Sequence, residues 1–564
     1  MSTLPEILRT HYSKNFDQEI LILQQSGHED LPITYGKLIS GAVSYATDYE
    51  KSGIKQGEVI ILILQHGIEL IYSFWGAILH GAVPSIMPFL TEKLLPDRYR
   101  SDLTSLISVT QPAAVVTYRD FEAEVRTAFA PGDSVRTVII SDDVQSGVIP
   151  NFSKLGGFCR SPDDIALLQH SSGTTGLQKG VALSHQAILK QLESYSQALK
   201  TNPQDVIVSW LPLYHDMGLI AGFLMPIICA IPLVIMSPFD WVRAPYRLLQ
   251  GVSKYRGTLS WLPNFAYNFC AQKIQSRHLD GVDLSSWRAI SNCSEPMRYE
   301  SHQMFLERFK PYGLRPQALA TCYAMAENVF AVTQGGIDEA VTVDEIDQET
   351  FQRERVAVPV KSGRPSIKML SAGKPISNTK VCVLSEEGEV LSDRSVGEIA
   401  LRSNCMLTGY YHRPDVTKKV FLDGWYLTGD YGYMVNGEVF VSGRKKDLII
   451  VGGKNIYPQD IEELAMKAPR VHPGRVSAFG VFNEESGTEE VVIVAEVDTD
   501  DQSERDQIAN DIRRLVTRGS AVSLHNVYIV GSNWLVKTSS GKNARVYNRE
   551  KYLSEMRSLQ NLYN

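Results

Sequence analysis

The chain has 564 residues, of which 44% are hydrophobic and 21% charged, and its formal net charge is −7. This length and apolar content predict a globular protein of several domains and exclude a disordered, collagenous or fibrous chain. A mildly acidic protein has no bulk attraction for nucleic acid, so no nucleic-acid partner is expected. The seven cysteines are scattered without a CxxC pair, which argues against a disulfide framework or a zinc ribbon and favours the reducing cytoplasm.

In chain order, short apolar runs first alternate with longer periodic segments. The runs lie at residues 59–64, 113–117, 137–140, 165–169, 206–210 and 233–236. This alternation predicts βα units and largely parallel sheets. The segment 185–199 places Ile188, Leu192, Tyr195 and Leu199 on one face, which predicts an amphipathic helix.

One segment has the length of a membrane span. Residues 218–239 run for 22 positions without a charge, and about 20 apolar residues suffice to cross a bilayer. Pro226, Pro232 and Pro238 divide the segment, however, and its flanks have the pattern of an α/β protein. We therefore predict a buried helix followed by a buried strand, with no stable membrane insertion. The amino-terminal sequence also lacks the features of a secretory signal.

Near Gly397 the pattern changes to shorter strands separated by turns. Asn436-Gly437, between two apolar runs, is typical of a two-residue hairpin turn. Beyond the hairpin we predict a compact α+β unit with helices at 458–467 and 507–517 and strands at 476–482, 490–497 and 527–530.

The segment SSGTTGLQKG at 171–180 lies between an apolar strand and a strand followed by a helix. Glycines let backbone N–H groups approach an anion closely, while hydroxyls and a lysine add donors and charge. The segment differs from a P-loop because Gly180 follows the lysine where Ser or Thr is required. An ordinary Ser/Gly loop is the alternative. The candidate phosphate-binding residues are Ser171, Ser172, Gly173, Thr174, Thr175, Gly176 and Lys179.

With this loop and the motifs that follow it, the chain resembles the ANL superfamily of adenylating enzymes, which includes acyl-CoA synthetases, nonribosomal peptide adenylation domains and luciferases. The resemblance spans essentially the whole chain. It implies an α/β fold, with a large N-terminal domain of layered α/β subdomains plus a β-barrel-like subdomain, and a small mobile α+β C-terminal domain. The further motifs, in the family's order, are WLPLYHDMG (210–218), YAMAE (323–327), GE (397–398), YLTGD (426–430), GRKKDLI (443–449) and KTSSGK (537–542).

The resemblance implies a reaction in which a carboxylate attacks the α-phosphate of ATP, releases pyrophosphate and leaves an acyl-adenylate. Negative charge develops at the α-phosphate, so catalysis of this kind depends on positioned cations and donors. Lys542 corresponds to the family's catalytic lysine and Glu327 to its Mg²⁺ ligand. His215 corresponds to a histidine at the carboxylate entry, with Asp216 beside it. ATP and Mg²⁺ are the implied cofactors, and AMP is the product nucleotide.

The nucleotide-binding motif departs from the usual family pattern. Ala324 replaces a glycine, and Ala326 stands where many relatives carry a phosphate-binding threonine. Tyr323 would stack on adenine, and a carboxylate with an arginine would hold the ribose hydroxyls. The implied adenosine-binding residues are Tyr323, Ala324, Met325, Asp430 and Arg444.

The family rotates its small domain between its two reaction steps, and a hinge needs backbone freedom more than a special side chain. We expect a large domain over residues 1–443, a hinge at 444–447 with Lys446 as the pivot, and a small domain over 448–564 that carries the catalytic lysine.

Within the superfamily, the sequence resembles the fatty acyl-AMP ligase branch. The spacing of 46 residues from Glu327 to Gly373 contains a polar, charged insert. That branch carries an extra segment of this kind, thought to restrain domain rotation and disfavour CoA. A surface loop of variable length is the alternative, although loops this long are uncommon. The implied partner is an acyl carrier protein acting in trans, whose phosphopantetheine thiol accepts the acyl group in a lipid, polyketide or lipopeptide pathway.

The implied substrate is a fatty acid of medium or long chain. Trp261 and Leu262 stand where smaller residues are expected in long-chain members, so their bulk would shorten an apolar tunnel; the alternative is that both face the core. Two other functions stay open, a fatty acyl-CoA ligase and a non-catalytic acyl- or nucleotide-binding relative. The candidate acyl-site residues are Trp261, Leu262, Asn264, Phe265, Leu219 and Gly222.

Overall fold

The structure of the protein, a computed structural model, describes residues 2–89, 96–171, 179–451, 454–483, 488–520, 522–538 and 541–563. The chain divides into two compact units. The second unit includes segments before residue 443, within the range that the sequence predicts for the large domain. The first unit comprises Met1–Thr342, Leu370–Lys380 and Leu401–Tyr426, and the second comprises Val343–Met369, Val381–Ala400 and Leu427–Asn564.

The described residues form helices and strands along the whole chain. The α-helices are α1 (Leu4–Lys14), α2 (Tyr35–Lys51), α3 (Ile68–His80), α4 (Pro96–Thr110), α5 (Glu122–Arg126), α6 (His185–Ala198), α7 (Met225–Cys229), α8 (Pro238–Arg243), α9 (Tyr246–Tyr255), α10 (Asn264–Lys273), α11 (Tyr299–Phe309), α12 (Gln348–Glu354), α13 (Pro414–Lys419), α14 (Pro458–Met466), α15 (Gln502–Ser520) and α16 (Arg545–Tyr563). The strands are β1 (Glu19–Gln24), β2 (Leu31–Thr34), β3 (Val59–Leu62), β4 (Val83–Ile86), β5 (Ala114–Thr117), β6 (Thr137–Ile140), β7 (Ile165–Ser171), β8 (Lys179–Ser184), β9 (Ile207–Ser209), β10 (Leu233–Met236), β11 (Leu259–Leu262), β12 (Ala289–Asn292), β13 (Leu319–Thr321), β14 (Thr333–Gln334), β15 (Val343–Asp347), β16 (Ser366–Leu370), β17 (Lys374–Pro375), β18 (Thr379–Leu384), β19 (Gly397–Ser403), β20 (Gly409–Tyr410), β21 (Phe421–Leu422), β22 (Trp425–Val435), β23 (Glu438–Arg444), β24 (Ile449–Val451), β25 (Lys454–Ile456), β26 (Val476–Asn483), β27 (Thr488–Glu496) and β28 (Leu524–Val530).

The first unit is built on two seven-stranded sheets. One has the order β13-β12-β11-β9-β10-β1-β2, and its pairs are parallel from β13 to β1. The other has the order β20-β8-β7-β4-β3-β5-β6 and is parallel from β7 to β6. Each of the six predicted apolar runs contains a strand, so the prediction of βα units with largely parallel sheets is confirmed.

The predicted amphipathic helix is confirmed as α6. Its N-cap, Ser184, accepts a hydrogen bond from the backbone of Ala187, which satisfies one of the free N–H groups of the first turn. Ile188, Leu192 and Tyr195 are buried, so the predicted apolar face is the face that packs into the core.

The apolar segment at 218–239 folds as a buried helix followed by a buried strand, as predicted. A π-helical stretch, Met217–Leu224, continues into α7 and then β10. A Cβ at Gly218 would overlap the carbonyl oxygen of Pro212, so only glycine permits this close packing. Across the residues that the structure describes, no helix has both the length and the apolar character needed to cross a membrane.

The second unit includes most of a five-stranded sheet, with β18-β19-β22-β21 in order and β23 on β22. The predicted hairpin joins β22 to β23. Its turn residues, Asn436 and Gly437, have φ values of 52° and 79°, in the left-handed region that these two residues adopt most readily.

The predicted α+β unit at the end of the chain is also confirmed. β26 pairs antiparallel with β27, which pairs parallel with β28. Ile461 of α14 and Ile512 of α15 lie in its apolar core with Ile493 of β27.

The polar insert after Glu327 folds as strand, helix and strand, namely β15, α12 and β16, with β15 paired to β16. Ile346 and Phe351 are buried in an apolar cluster that also contains Tyr433 and Tyr457. The insert is therefore a folded part of the second unit rather than an irregular surface loop.

Candidate active site

The parallel strands of the first unit end at a common edge, and in α/β sheets ligands bind at this edge. β9, β11, β12 and β13 belong to one such sheet, and the motifs at 210–218 and 323–327 follow β9 and β13. Just beyond the strand ends, the Cys293 N–H donates to the Leu262 carbonyl at 3.1 Å. The sheet thus places the starts of the motifs at 210–218 and 323–327 at one edge, although they lie far apart in the sequence.

Glu327, the predicted metal ligand, lies on a tight 3₁₀ turn, Ala326–Asn328. The buried Asn328 side chain donates to the Ala331 carbonyl at 2.7 Å and holds the turn closed. Val329 has a φ of 62°, which is strained for a β-branched residue. Such strain persists where the surroundings fix the backbone, so the turn that carries Glu327 is held in one conformation.

The Glu327 carboxylate accepts a 2.8 Å hydrogen bond from the Tyr410 hydroxyl, which lies 3.1 Å from the Tyr426 hydroxyl. Burial, followed by the Glu327 charge, raises the pKa of Tyr410 well above its usual value, so the phenol stays protonated and donates. Lys179 Nζ lies 4.8 Å from the centre of the Tyr410 ring. The Glu327 carboxylate suits Mg²⁺, which proteins bind through one or two carboxylates together with phosphate oxygens of the substrate. The Lys179 ammonium suits the charge of those phosphates.

The glycine-rich segment joins β7 to β8, whose last register pair is Ser171 opposite Lys179. The predicted phosphate-binding residues between these two strands, Ser172, Gly173, Thr174, Thr175 and Gly176, lie outside the described residues.

Tyr323, the predicted adenine-stacking residue, is 8% exposed, and its N–H donates to the Thr333 hydroxyl. Ala324 forms an antiparallel bridge with Ala331, and the Met325 N–H donates to a backbone carbonyl at 2.8 Å. The motif is thus a short hairpin with Tyr323 at its start.

His215 Nδ1 lies 2.7 Å from Asp216 Oδ1, and Asp216 also caps the π-helical stretch by accepting from the Met217 N–H. The carboxylate therefore orients the imidazole at the start of that helix. Gln169 of β7 donates to the Tyr214 carbonyl at 3.1 Å, which ties this segment to the strand leading into the glycine-rich loop.

Trp261 is 2% exposed, and its indole N–H donates to the Tyr195 hydroxyl at 2.7 Å. Tyr195 in turn donates to Gln334 Oε1 at 2.9 Å. This buried chain fixes the orientation of the indole. The partner on α6 could not be found from sequence, because Tyr195 has the position of an ordinary core residue of an amphipathic helix.

The other predicted acyl-site residues have different environments. Leu219 and Leu262 are buried, and a Cβ on Gly222 would contact the Ser209 hydroxyl at 2.7 Å. Asn264 is held in a polar network, where its Oδ1 accepts from Asn292 Nδ2 at 3.0 Å. Phe265, the neighbouring candidate, is 41% exposed.

An aromatic stack beside the motif at 210–218 was not predicted. The rings of Trp210 and Trp241 lie 3.6 Å apart and nearly parallel, and Phe265 contacts both edge-on. Trp210 belongs to a motif, but nothing in the spacing of the sequence connects it to Trp241.

The second unit brings Asp430 and Arg444 together. They are opposite each other on β22 and β23, with Arg444 Nε 3.6 Å from Asp430 Oδ1. Next to them, Glu398 accepts from the Gly429 N–H at 3.1 Å and from Lys445 at 2.9 Å. The predicted ribose-binding pair therefore sits on a braced hairpin.

Gly541 and Lys542 are hydrogen-bonded back to Thr538 in a turn, and residues 539–540 lie outside the described part of the chain. Thr538 holds the turn twice, since its N–H donates to the Lys542 carbonyl at 2.8 Å and its hydroxyl accepts from the Lys542 N–H. Asn543, the next residue, donates to Glu462 Oε1 at 2.9 Å.

An ion cluster connects this turn to the predicted hinge. Arg545 donates two hydrogen bonds to Glu462, at 2.7 and 2.8 Å, and one to Asp447 at 2.9 Å. Asp447 belongs to the 3₁₀ turn Lys445–Asp447, whose middle residue, Lys446, is exposed. The carboxylates of Glu462 and Asp447 raise the pKa of Arg545 in spite of its burial.

A model of the AMP-binding enzyme family matches residues 10–411. The chain is 30% identical to the medium-chain-fatty-acid–[acyl-carrier-protein] ligase JamA of Moorena producens, over 98% of this chain and 95% of JamA. Its structure resembles a fatty acyl-adenylate ligase from work on the E. coli and L. pneumophila enzymes, with a TM-score of 0.88, 26% identity, and 99% and 98% of the two chains covered. The L. pneumophila ligase in complex with acyl adenylate and pyrophosphate is 29% identical, with a TM-score of 0.73 and 98% and 96% coverage.

Proposed function

Because the chain belongs to the AMP-binding enzyme family, we propose that it activates a medium- or long-chain fatty acid with ATP and transfers the acyl group to the phosphopantetheine thiol of an acyl carrier protein. The observation that carries the proposal is that Glu327 and Lys179 both contact Tyr410, which supports a site for a metal-bound triphosphate in the first unit. Similarity to fatty-acid ligases along nearly the whole chain supports the choice of acid.

In the adenylation step, the fatty-acid carboxylate attacks the α-phosphorus and pyrophosphate leaves. We assign Lys542 the role of stabilising the negative charge that develops between the carboxylate and the α-phosphate. We place His215, which Asp216 orients, where the fatty-acid carboxylate enters the site. Most of the rate enhancement in such a transfer comes from positioning and charge neutralisation. The two bonds that Thr538 makes to the turn support a fixed lysine.

For the nucleotide, we assign adenine to Tyr323 and the ribose hydroxyls to Asp430 and Arg444. The Asp430 carboxylate can accept two O–H hydrogen bonds from the ribose. The neighbouring Arg444 guanidinium stabilises the negative charge of that carboxylate. Glu327 would hold Mg²⁺, which supplies charge neutralisation to the phosphates when bound.

We further propose that the insert restrains the hinge, with Lys446 as pivot between a large domain, 1–443, and a small domain, 448–564. The support lies within the second unit, where the insert contacts residues just after the hinge. Asn455 donates to the Gln352 carbonyl at 3.1 Å and accepts from Arg355 at 3.0 Å. An insert bonded to β25 hinders rotation there, and a restrained rotation disfavours CoA as the acceptor.

The experiment for adenylation is pyrophosphate release with ATP and dodecanoate. No release from a folded protein would exclude the proposal and favour a non-catalytic acyl- or nucleotide-binding relative. The experiment for the acceptor compares thioester formation with CoA and with a holo-carrier protein. Faster transfer to CoA would favour the fatty acyl-CoA ligase instead. We propose a cytoplasmic location, because the seven cysteines are scattered along the sequence without a CxxC pair.

A further inference from the structure

Tyr410 connects two parts of the chain that the proposed function assigns to the triphosphate. Its hydroxyl donates to Glu327 Oε1 at 2.8 Å, and the face of its ring lies 4.8 Å from Lys179 Nζ. The residue is 5% exposed. The two side chains that it contacts, Glu327 and Lys179, are those that the proposed function assigns to the metal and the phosphates.

The backbone around Tyr410 makes the same connection. β20 pairs antiparallel with β8, with Tyr410 opposite Val181. One residue further, the Tyr411 N–H donates to the Gly180 carbonyl at 2.7 Å, and on the other side the Leu407 N–H donates to the Glu327 carbonyl at 2.8 Å. The segment 407–411 is thus bonded to the strand that begins at Lys179 and also to the turn that carries Glu327.

We propose that Tyr410 is a positioning residue that holds Glu327 and Lys179 in register for a metal-bound triphosphate. This inference rests on the proposed function, because it takes those two side chains as the metal and phosphate ligands. The hydroxyl donates to one oxygen of the Glu327 carboxylate, and this hydrogen bond fixes the orientation of the whole carboxylate group. Hydrogen-bond partners of metal-ligating carboxylates typically contribute about 10- to 100-fold to metal affinity.

The ring and the hydroxyl have separable roles. The hydroxyl acts on Glu327, whereas the ring face attracts the Lys179 ammonium through a cation–π interaction. Tyr410→Phe removes only the first, and Tyr410→Leu removes both. Tyr411→Phe is a matched control, because the Tyr411 ring stacks on His412 and its hydroxyl makes no hydrogen bond to any residue that the structure describes.

The experiment measures binding of a non-hydrolysable ATP analogue by calorimetry, with and without Mg²⁺, and of AMP as a ligand without the β- and γ-phosphates. We expect Tyr410→Phe to weaken the Mg²⁺-dependent affinity for the analogue about tenfold while AMP affinity stays unchanged. Tyr410→Leu should weaken it further, and Tyr411→Phe should bind like the wild type.

A double-mutant cycle with Glu327→Gln tests whether Tyr410 acts through that carboxylate. If it does, Tyr410→Phe should cost nothing further in the Glu327→Gln background. Equal losses for AMP and for the analogue would indicate a merely structural role and overturn the inference, as would normal Mg²⁺-dependent binding by Tyr410→Phe. Should the wild type itself fail to bind the analogue with Mg²⁺, the proposed function would be wrong; loss of binding by Glu327→Gln but not by Tyr410→Phe would refute the positioning role alone.

Discussion

The choice of fatty acid should depend on Trp261, whose indole is buried and fixed by Tyr195. If the indole closes the end of the acyl tunnel, the wild type should prefer short or medium acids to palmitate, and Trp261→Ala should extend the accepted chain. Burial of each methylene is worth about 0.8 kcal/mol, so two further carbons would gain about 1.6 kcal/mol, or roughly fifteenfold in kcat/KM.

The assay is kcat/KM for adenylation across even-numbered acids, measured on folded protein. Loss of a buried tryptophan costs about 3–5 kcal/mol of stability, so the control must carry the same cost. Trp287→Ala provides it, because Trp287 is equally buried and donates to the Ser260 hydroxyl at 3.1 Å. Ser260 and Trp261 are neighbours on β11 and therefore face opposite sides of the sheet. If Trp261→Ala leaves the chain-length profile unchanged, or if Trp287→Ala shifts the profile equally, the indole does not close the acyl tunnel. Trp261 would then be an ordinary core residue.

Three further predictions concern the second unit. Lys542→Ala should lower the rate of adenylation by about 10²–10³ while nucleotide binding persists; ATP–pyrophosphate exchange measures the rate, and a near-normal value would mean that another lysine acts. Deletion of residues 338–361 should leave adenylation measurable and permit CoA thioester formation, since it removes the bonds from the insert to Asn455; a folded deletion variant that still refuses CoA would locate the restraint elsewhere. Arg545→Met should lower the free energy of unfolding by about 3–5 kcal/mol in urea titrations, because it removes the cationic partner of the mostly buried carboxylates of Glu462 and Asp447; a loss below 1 kcal/mol would show that water and the remaining hydrogen bonds compensate the two charges.

Local patterns in the sequence were sufficient for much of the fold. Each apolar run of the first unit became a strand because a strand buried on both faces needs only a continuous apolar stretch. The hairpin at Asn436-Gly437 formed because its two residues accept left-handed φ values. Asp430 and Arg444, predicted from separate motifs, met because that same hairpin fixes their register.

The insert shows where local patterns fail. Its sequence is mostly polar, and no apolar periodicity in it predicts a helix. The insert nevertheless contains α12, because Phe351 packs against the apolar cluster that includes Tyr433 and Tyr457. One buried aromatic residue, backed by the N-cap that Asp347 supplies to Thr350, is enough to order a short helix when tertiary contacts provide the remaining stability.

The arrangement around Glu327 was beyond sequence reasoning for a related reason. The carboxylate could be named from its motif, but its orientation depends on Tyr410, and the pairing of β20 with β8 helps to place Tyr410. A two-residue strand carries too little pattern to predict its partner, since register is specified by long apolar alternation that such a strand lacks. Motifs therefore identify the candidate substrate-binding groups, whereas the groups that orient them are set by pairings between distant segments and become visible only in the folded chain.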